Sequence, residues 1–244
     1  MWNKSCIQWA GFVLWLGTAG FLSGQAPSEV MSRLGYTTRN AVRFTLQDRS
    51  QRQILAAGVL GTWLAFRVED RFQEYAQSQG LMPEWMANAG DVYGGYWAQW
   101  FLLGGLLLDN RHQLRDRTTH LKLEAAGMAF AANGVVTWAI KLGVNRTRPN
   151  GGHHSFPSGH TSNAFAIAAV ADETWGHGIG AVAYGMAGVV GLSRIHDNKH
   201  YLSDVVAGAT LGTLIGRAFV RSYQPYFQVG WNPGNRSLRL TFPL

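Results

Sequence analysis

Apolar positions gather into six blocks, near residues 53–67, 95–108, 124–143, 161–172, 178–192 and 203–220. Inside each block they recur at three- and four-residue intervals, the spacing of one helix face, and strand-like alternation is absent until the tail. The pattern predicts an all-α helical bundle. Several blocks are only about 14 residues long, short of the roughly 20 that cross a bilayer. The block "ILAAGVLGTWLAFRVEDRF" soon runs into charge, as a helix ending in water would. On this pattern a globular bundle fits better than six membrane spans. Residues 27–51 are mixed polar, with a short helix expected over Thr38–Gln47. In the tail, "YFQVGWNPGNRSLRLTFPL" sets Asn-Pro-Gly-Asn between two short extended runs, the mark of a terminal β-hairpin.

The first residues have a different character. "MWNK" is a short basic stretch, "CIQWAGFVLWLGTAGFL" an apolar one, and "SGQA" supplies small residues. This order predicts an export signal over residues 1–26, cleaved after Ala26, and a periplasmic destination; an uncleaved membrane anchor is the alternative. The sole cysteine, Cys6, lies inside that segment, so the remainder, 27–244, holds no disulfide. No repeat, low-complexity tract or linker divides 27–244, which reads as a single domain.

Composition narrows the partners. Hydrophobic residues make up 47% of the 244 and charged residues 14%, with thirty glycines that suit close helix packing. A net charge of +7 favours anionic lipid surfaces, nucleic acid or phosphorylated substrates. No Lys/Arg run interleaved with aromatics argues for nucleic acid. Trp97, Trp100, Trp138 and Trp175 fall at helix ends and suit either a membrane-interface belt or the core.

Polar chemistry concentrates in three places. In "KLGVNRTRP", Lys141 ends an apolar helix and Arg148 precedes a proline, which biases it toward extended backbone. In "PSGH", Ser158 is placed to cap the helix that follows, and the free amides after it, Gly159 included, would face a bound anion. In "SRIHDNKHYLSD", Asp197 or Asn198 is expected to start a helix that carries His200 and Asp204 four residues apart on one face. Asp204 could then accept from one imidazole nitrogen and leave the other free. Each element alone is commonplace. Together they raise a charge problem. Between Val135 and Val220 stand six Lys/Arg and four Asp/Glu. If Lys141, Arg148 and Arg194 converge between apolar helices, those carboxylates do not readily neutralise them. Buried cations need a partner, and an external oxyanion such as phosphate supplies one.

Lys141 with Arg148-Pro149, then Pro157-Ser158-Gly159-His160, then Ser193-Arg194 with His200 and Asp204, resembles the type 2 phosphatidic acid phosphatase (PAP2) superfamily. That family includes bacterial acid phosphatases, lipid phosphate phosphatases and vanadium haloperoxidases. The three motifs agree in order and spacing over Lys141–Asp204. The link between the first two is short, seven residues from Asn150 to Phe156, which leaves little room for a lid. The resemblance implies an all-α bundle of the PAP2/haloperoxidase type. It implies His200 as the nucleophile that forms a phosphohistidine, and Asp204 as the group that fixes its tautomer. It implies His160 as the acid that protonates the leaving oxygen and then the base toward water. Lys141, Arg148, Ser158, Gly159 and Arg194 would hold the phosphoryl oxygens. No metal or other cofactor is implied. His153 and His154 are read as loop residues, and His112, His120 and His177 as structural.

Three function classes follow: a phosphatase for a lipid or small phosphate, a vanadate-dependent haloperoxidase, and a non-catalytic binding protein. The complete motif set favours the first. Export, basic charge and apolar helices favour a lipid phosphate at the periplasmic membrane face over a water-soluble phosphomonoester. Vanadate would be an inhibitor of a phosphatase and the cofactor of a haloperoxidase.

Overall fold

The computed structural model describes residues 27–95, 97–109, 117–222, 228–232 and 237–241, so the export signal expected over residues 1–26 lies outside the described residues. Eight helices follow in order: α1 (Pro27–Gln47), α2 (Arg49–Gln79), α3 (Glu84–Gly94), α4 (Trp97–Asp109), α5 (Arg117–Val144), α6 (Gly159–Trp175), α7 (His177–His196) and α8 (Leu202–Ser222). Near the C-terminus, β1 (Gln228–Asn232) and β2 (Ser237–Thr241) pair antiparallel, with Gln228 opposite Thr241 and Asn232 opposite Ser237.

Helix α6 is the axis of the bundle. Ala164, Ala166, Ile167, Ala168, Ala169, Val170 and Ala171 are all buried, because α8, α7 and α5 enclose it. Small residues make this possible. A Cβ added at Gly212 of α8 would overlap the Ser162 carbonyl oxygen, and one at Gly208 would stand 2.6 Å from that of Ser158. The two backbones are therefore closer than any side chain at these positions permits. Between α5 and α6 the contact is polar: Ser162 Oγ donates to Asn133 Oδ1 at 2.5 Å, and Asn133 Nδ2 donates to Asn163 Oδ1 at 3.0 Å. Asn133 and Ser162 are fully buried, so these bonds satisfy groups that would otherwise be costly to enclose.

Two helices run further than the apolar blocks suggest. Helix α1 spans 21 residues where a short helix over Thr38–Gln47 was expected. Helix α2 begins with Asp48 accepting from the Gln51 amide at 2.9 Å, and it continues through "RVEDRF" to Gln79 instead of ending in water there. The reason is that Glu69 and Gln73 point inward, toward polar groups of α7 and α8. At 31 residues α2 is about 46 Å long by the helical rise. Lys122–Val144 and His177–His196 are long and apolar enough to cross a membrane. Exposed apolar side chains stud several helices, among them Leu46 on α1, Leu60 and Trp63 on α2, Trp85 on α3, Phe101 on α4, Leu142 on α5 and Val182 on α7.

The α6–α8 seam generates the first prediction. Gly212→Ala should lower the thermal melting point through a loss of about 1–3 kcal/mol or more, because the Ser162 backbone cannot move aside. Gly188→Ala, where no atom lies within 4 Å of the added Cβ, should be neutral or stabilising. Equal melting points for both variants in detergent would contradict the close approach.

Candidate active site

The three polar stretches meet at one end of the bundle. Lys141 lies in the last turn of α5 and is buried. Its ammonium donates to the carbonyls of His154 (2.6 Å) and Ser155 (3.2 Å), while His154 Nδ1 lies 3.2 Å from the Lys141 carbonyl. This exchange pins the 145–158 loop against the helix end. Within the loop the Ser155 amide donates to the Arg146 carbonyl at 2.8 Å, and the Arg148 amide to that of Gly152 at 2.7 Å. Arg148 Nε donates to the His153 carbonyl at 3.0 Å. So His153 and His154 are loop residues whose backbones hold the two cations. His177, at the far end of the bundle, pairs with Asp172.

The loop delivers Pro157-Ser158 to the start of α6. Ser158 occupies the cap position, but its hydroxyl makes no bond to the helix amides, contrary to the capping expected from sequence. It accepts from Thr161 Oγ1 instead, at 2.9 Å. The Ser158 amide donates to the Asp204 carbonyl at 2.9 Å, which ties the head of α6 to the head of α8. Gly159 faces Lys141: a Cβ added to it would lie 3.6 Å from Lys141 Cε.

The third stretch also departs from expectation. No helix starts at Asp197 or Asn198. Helix α7 instead ends there, with Asp197 as its C-cap and Asn198 at a positive φ of 56°. The turn folds back so that the amides of Lys199 (3.0 Å) and His200 (3.2 Å) both donate to the Arg194 carbonyl. His200 therefore precedes α8 and Asp204 lies in its first turn, yet the two still face each other, Nδ1 to Oδ2 at 3.5 Å. Burial pushes the His200 imidazole down to about 4, against the pull of Asp204, so the ring is neutral near pH 7. Burial also lowers Arg148, and the nearby Arg194 adds to that lowering.

Asp204 is fully buried and fully engaged. Oδ2 accepts from Ser155 Oγ (2.5 Å) and the Tyr201 amide (2.9 Å), and Oδ1 accepts from Arg146 (2.9 Å). Arg146 was not singled out in the sequence. Its guanidinium lies between the rings of Tyr201 (4.1 Å) and Phe66 (4.9 Å) and also bonds Ser203 and Glu69. Glu69 was missed because it belongs to α2, more than seventy residues upstream, where it looked like a solvated charge.

Arg194 corrects the charge argument. It is almost wholly buried, and it bonds Asp197 at 3.0 Å and Asp91 of α3. Asp91 lies outside the stretch over which charges were counted. Lys141 and Arg148 are different: among the described residues they bond only backbone carbonyls. His160, half-exposed, faces Asp91 with Nε2 at 3.3 Å. The structure thus gathers all eight motif residues, with two cations lacking a carboxylate beside a neutral histidine.

The PAP2 superfamily model matches residues 123–227, the stretch that holds all three polar motifs. The chain is 40% identical over 97 residues to a lipid A 1-phosphatase of Porphyromonas gingivalis, covering 38% of this chain and 21% of that protein. It is 32% identical over 154 residues to lipid phosphate phosphatase 1 of Arabidopsis thaliana, covering 44% and 47%. The match therefore spans about a fifth and about half of these two relatives. The crystal structure of Aquifex aeolicus LpxE shares the fold, with a TM-score of 0.54 and 23% identity over 63% of this chain and 95% of that one.

A pH prediction follows from His200. Its ordinary value of 6.5 holds in the unfolded chain, whereas the folded value is about 4. Between those values the unfolded state binds the extra proton, so stability falls as pH drops from about 6.5 toward 4 and is flat above. Thermal melts in phosphate-free buffer should show this slope, and His200→Gln should flatten part of it. An unchanged slope would assign the acid sensitivity to other groups.

Proposed function

We propose that this chain hydrolyses the phosphate ester of a phosphorylated lipid through a phosphohistidine on His200, without a metal ion. One observation carries this reading: Lys141 and Arg148 sit beside the neutral, buried His200 with no carboxylate of their own. An oxyanion in that position neutralises both cations and lies against the nucleophile.

In the proposed reaction Asp204 accepts from Nδ1–H of His200, so the lone pair resides on Nε2. Nε2 attacks phosphorus and the P–O bond to the leaving group breaks. His160 transfers its proton to the departing oxygen. His160 then takes a proton from water as the water oxygen attacks phosphorus, the N–P bond breaks, and phosphate leaves. Lys141, Arg148, Arg194, the Ser158 hydroxyl and the Gly159 amide take up the charge that builds on the phosphoryl oxygens. Fixed cations here do the work that a metal does elsewhere.

Lipid as substrate is supported by the names of both relatives and by the exposed apolar residues on α2, α4, α5 and α7. These would face acyl chains, with α5 and α7 crossing the bilayer. A site on the periplasmic face fits the export signal expected over residues 1–26.

In detergent micelles, a lipid phosphate should be turned over with a kcat/KM at least about tenfold above p-nitrophenyl phosphate, reflecting binding energy from the acyl chains. Preference for the soluble ester would reverse the substrate reading. His200→Ala should yield no acid-trapped phosphoenzyme. Residual turnover above about 1% would count against it as nucleophile, since groups acting as a unit fail together. Activity should survive EDTA and be inhibited by vanadate. Loss to EDTA with recovery on adding Mg²⁺ or Zn²⁺ would expose a metal centre, and bromide or chloride oxidation by the vanadate-loaded protein would favour the haloperoxidase.

A further inference from the structure

The three motifs leave out Asp91, yet it touches two of them. Its Oδ1 accepts from Arg194 Nη1, lies 3.3 Å from His160 Nε2 and 3.7 Å from Lys199 Nζ. Arg194 is enclosed, whereas Asp91 is 47% exposed, so this carboxylate stands at the mouth of the site.

Its position is built in by α3. A Cβ at Gly90 would stand 2.6 Å from Ser193 Oγ. One at Gly94 would stand 2.6 Å from Val190 Cγ1 and 2.9 Å from His160 Cβ. The two glycines, one turn apart, let this 11-residue helix lie directly on α7 and on the head of α6. Asp91, adjacent to Gly90, is thereby brought to His160 and Arg194 together. A carboxylate placed only to neutralise Arg194 would not need the helix pressed against His160, and Arg194 already has Asp197.

We propose that Asp91 is a positioning residue for the acid–base step: it accepts from Nε2–H of His160 and so leaves Nδ1 as the nitrogen that serves the leaving oxygen. This rests on the phosphatase reading above and adds to it a second aspartate–histidine pair. Asp204 orients the nucleophile and Asp91 orients the acid. In the first step Nδ1–H gives its proton to the oxygen released from phosphorus. In the second, Nδ1 recovers a proton from the attacking water. Asp91 stays ionised throughout. Its carboxyl is held well below the usual range by the hydrogen bond from His160, and by Arg194 beside it.

The test compares Asp91→Asn with wild type on an alkyl phosphate and on p-nitrophenyl phosphate. The alkoxide needs a proton as it leaves and the nitrophenolate needs little. Asp91→Asn should lose about 10- to 100-fold in kcat/KM on the alkyl ester, a part of what a general acid supplies, and only a few-fold in kcat/KM on the nitrophenyl ester, because that ratio reports phosphoenzyme formation and not the second step that both esters share. Asp91→Glu should recover part of the loss, and His160→Ala should show the same substrate ratio. Equal losses in kcat/KM on both esters would overturn the assignment. So would a lowered KM with unchanged kcat, which would make Asp91 an internal occupant of the anion site that substrate displaces. Melting curves of Asp91→Asn guard against misfolding. If that variant melts early, Gly94→Ala, which presses on His160 from the same helix, should give the same ester-dependent ratio, and an ester-independent loss would again overturn the proposal. Wild-type protein that hydrolyses neither ester would overturn the phosphatase reading and this inference with it. Wild-type activity matched by Asp91→Asn on both esters would overturn the inference alone.

Discussion

A carboxylate sealed from water is tolerable only when every lone pair has a donor, and Asp204 is built to that requirement. Ser155, the Tyr201 amide, Arg146 and His200 surround its two oxygens, and its backbone carbonyl accepts from Ser158. These partners come from the 145–158 loop, from the turn after α7 and from the head of α6. Loss of Arg146 would leave the Asp204 charge buried without its fixed counter-charge, which costs several kcal/mol. Meeting this one demand fixes the heads of α6 and α8, the course of the loop between Lys141 and Ser158, and the orientation of the His200 ring. Glu69 extends the network by holding Arg146 and Ser203 from α2.

Small residues close the α6–α8 seam, while larger apolar side chains such as Leu106, Phe130, Ile167 and Phe219 fill the rest of the core. Glycines along α8 let its backbone lie on that of α6, and alanines fill α6. Packing of this kind suits a bundle whose outer surface is itself apolar, because lipid tails offer no hydrophobic drive for helices to associate. Close van der Waals contact and the buried Asn133–Ser162–Asn163 bonds then hold the helices together. Burial at the site strengthens the contacts that Asp204 and Arg194 make with their counter-charges.

Cations at the site divide into two kinds. Arg146 and Arg194 each have two carboxylates, while Lys141 and Arg148 rest on backbone carbonyls. The first pair holds the architecture of the site in place. The second pair keeps its positive charge available, because a carbonyl dipole orients a cation without neutralising it. This division of labour among like charges lets one end of the bundle carry several Lys/Arg side chains, with Arg146 and Arg194 each neutralised by carboxylates.

Local pattern alone settled the helical class, since apolar spacing reports which face of a helix meets its neighbours. It also marked three short polar stretches, whose turns are shaped in part by bonds a few residues apart. The Arg194 carbonyl that receives the Lys199 and His200 amides is one such bond. Helix ends were less legible: α2 runs past its apolar block because Glu69 and Gln73 find partners on α7 and α8, which no local signal announces. The pairing of Arg194 with Asp91 and of Arg146 with Glu69 depended wholly on tertiary structure. A charged residue on a helix reads the same in sequence whether it faces water or a buried counter-charge. Only the packing of α2 and α3 against the motif helices decided which it was.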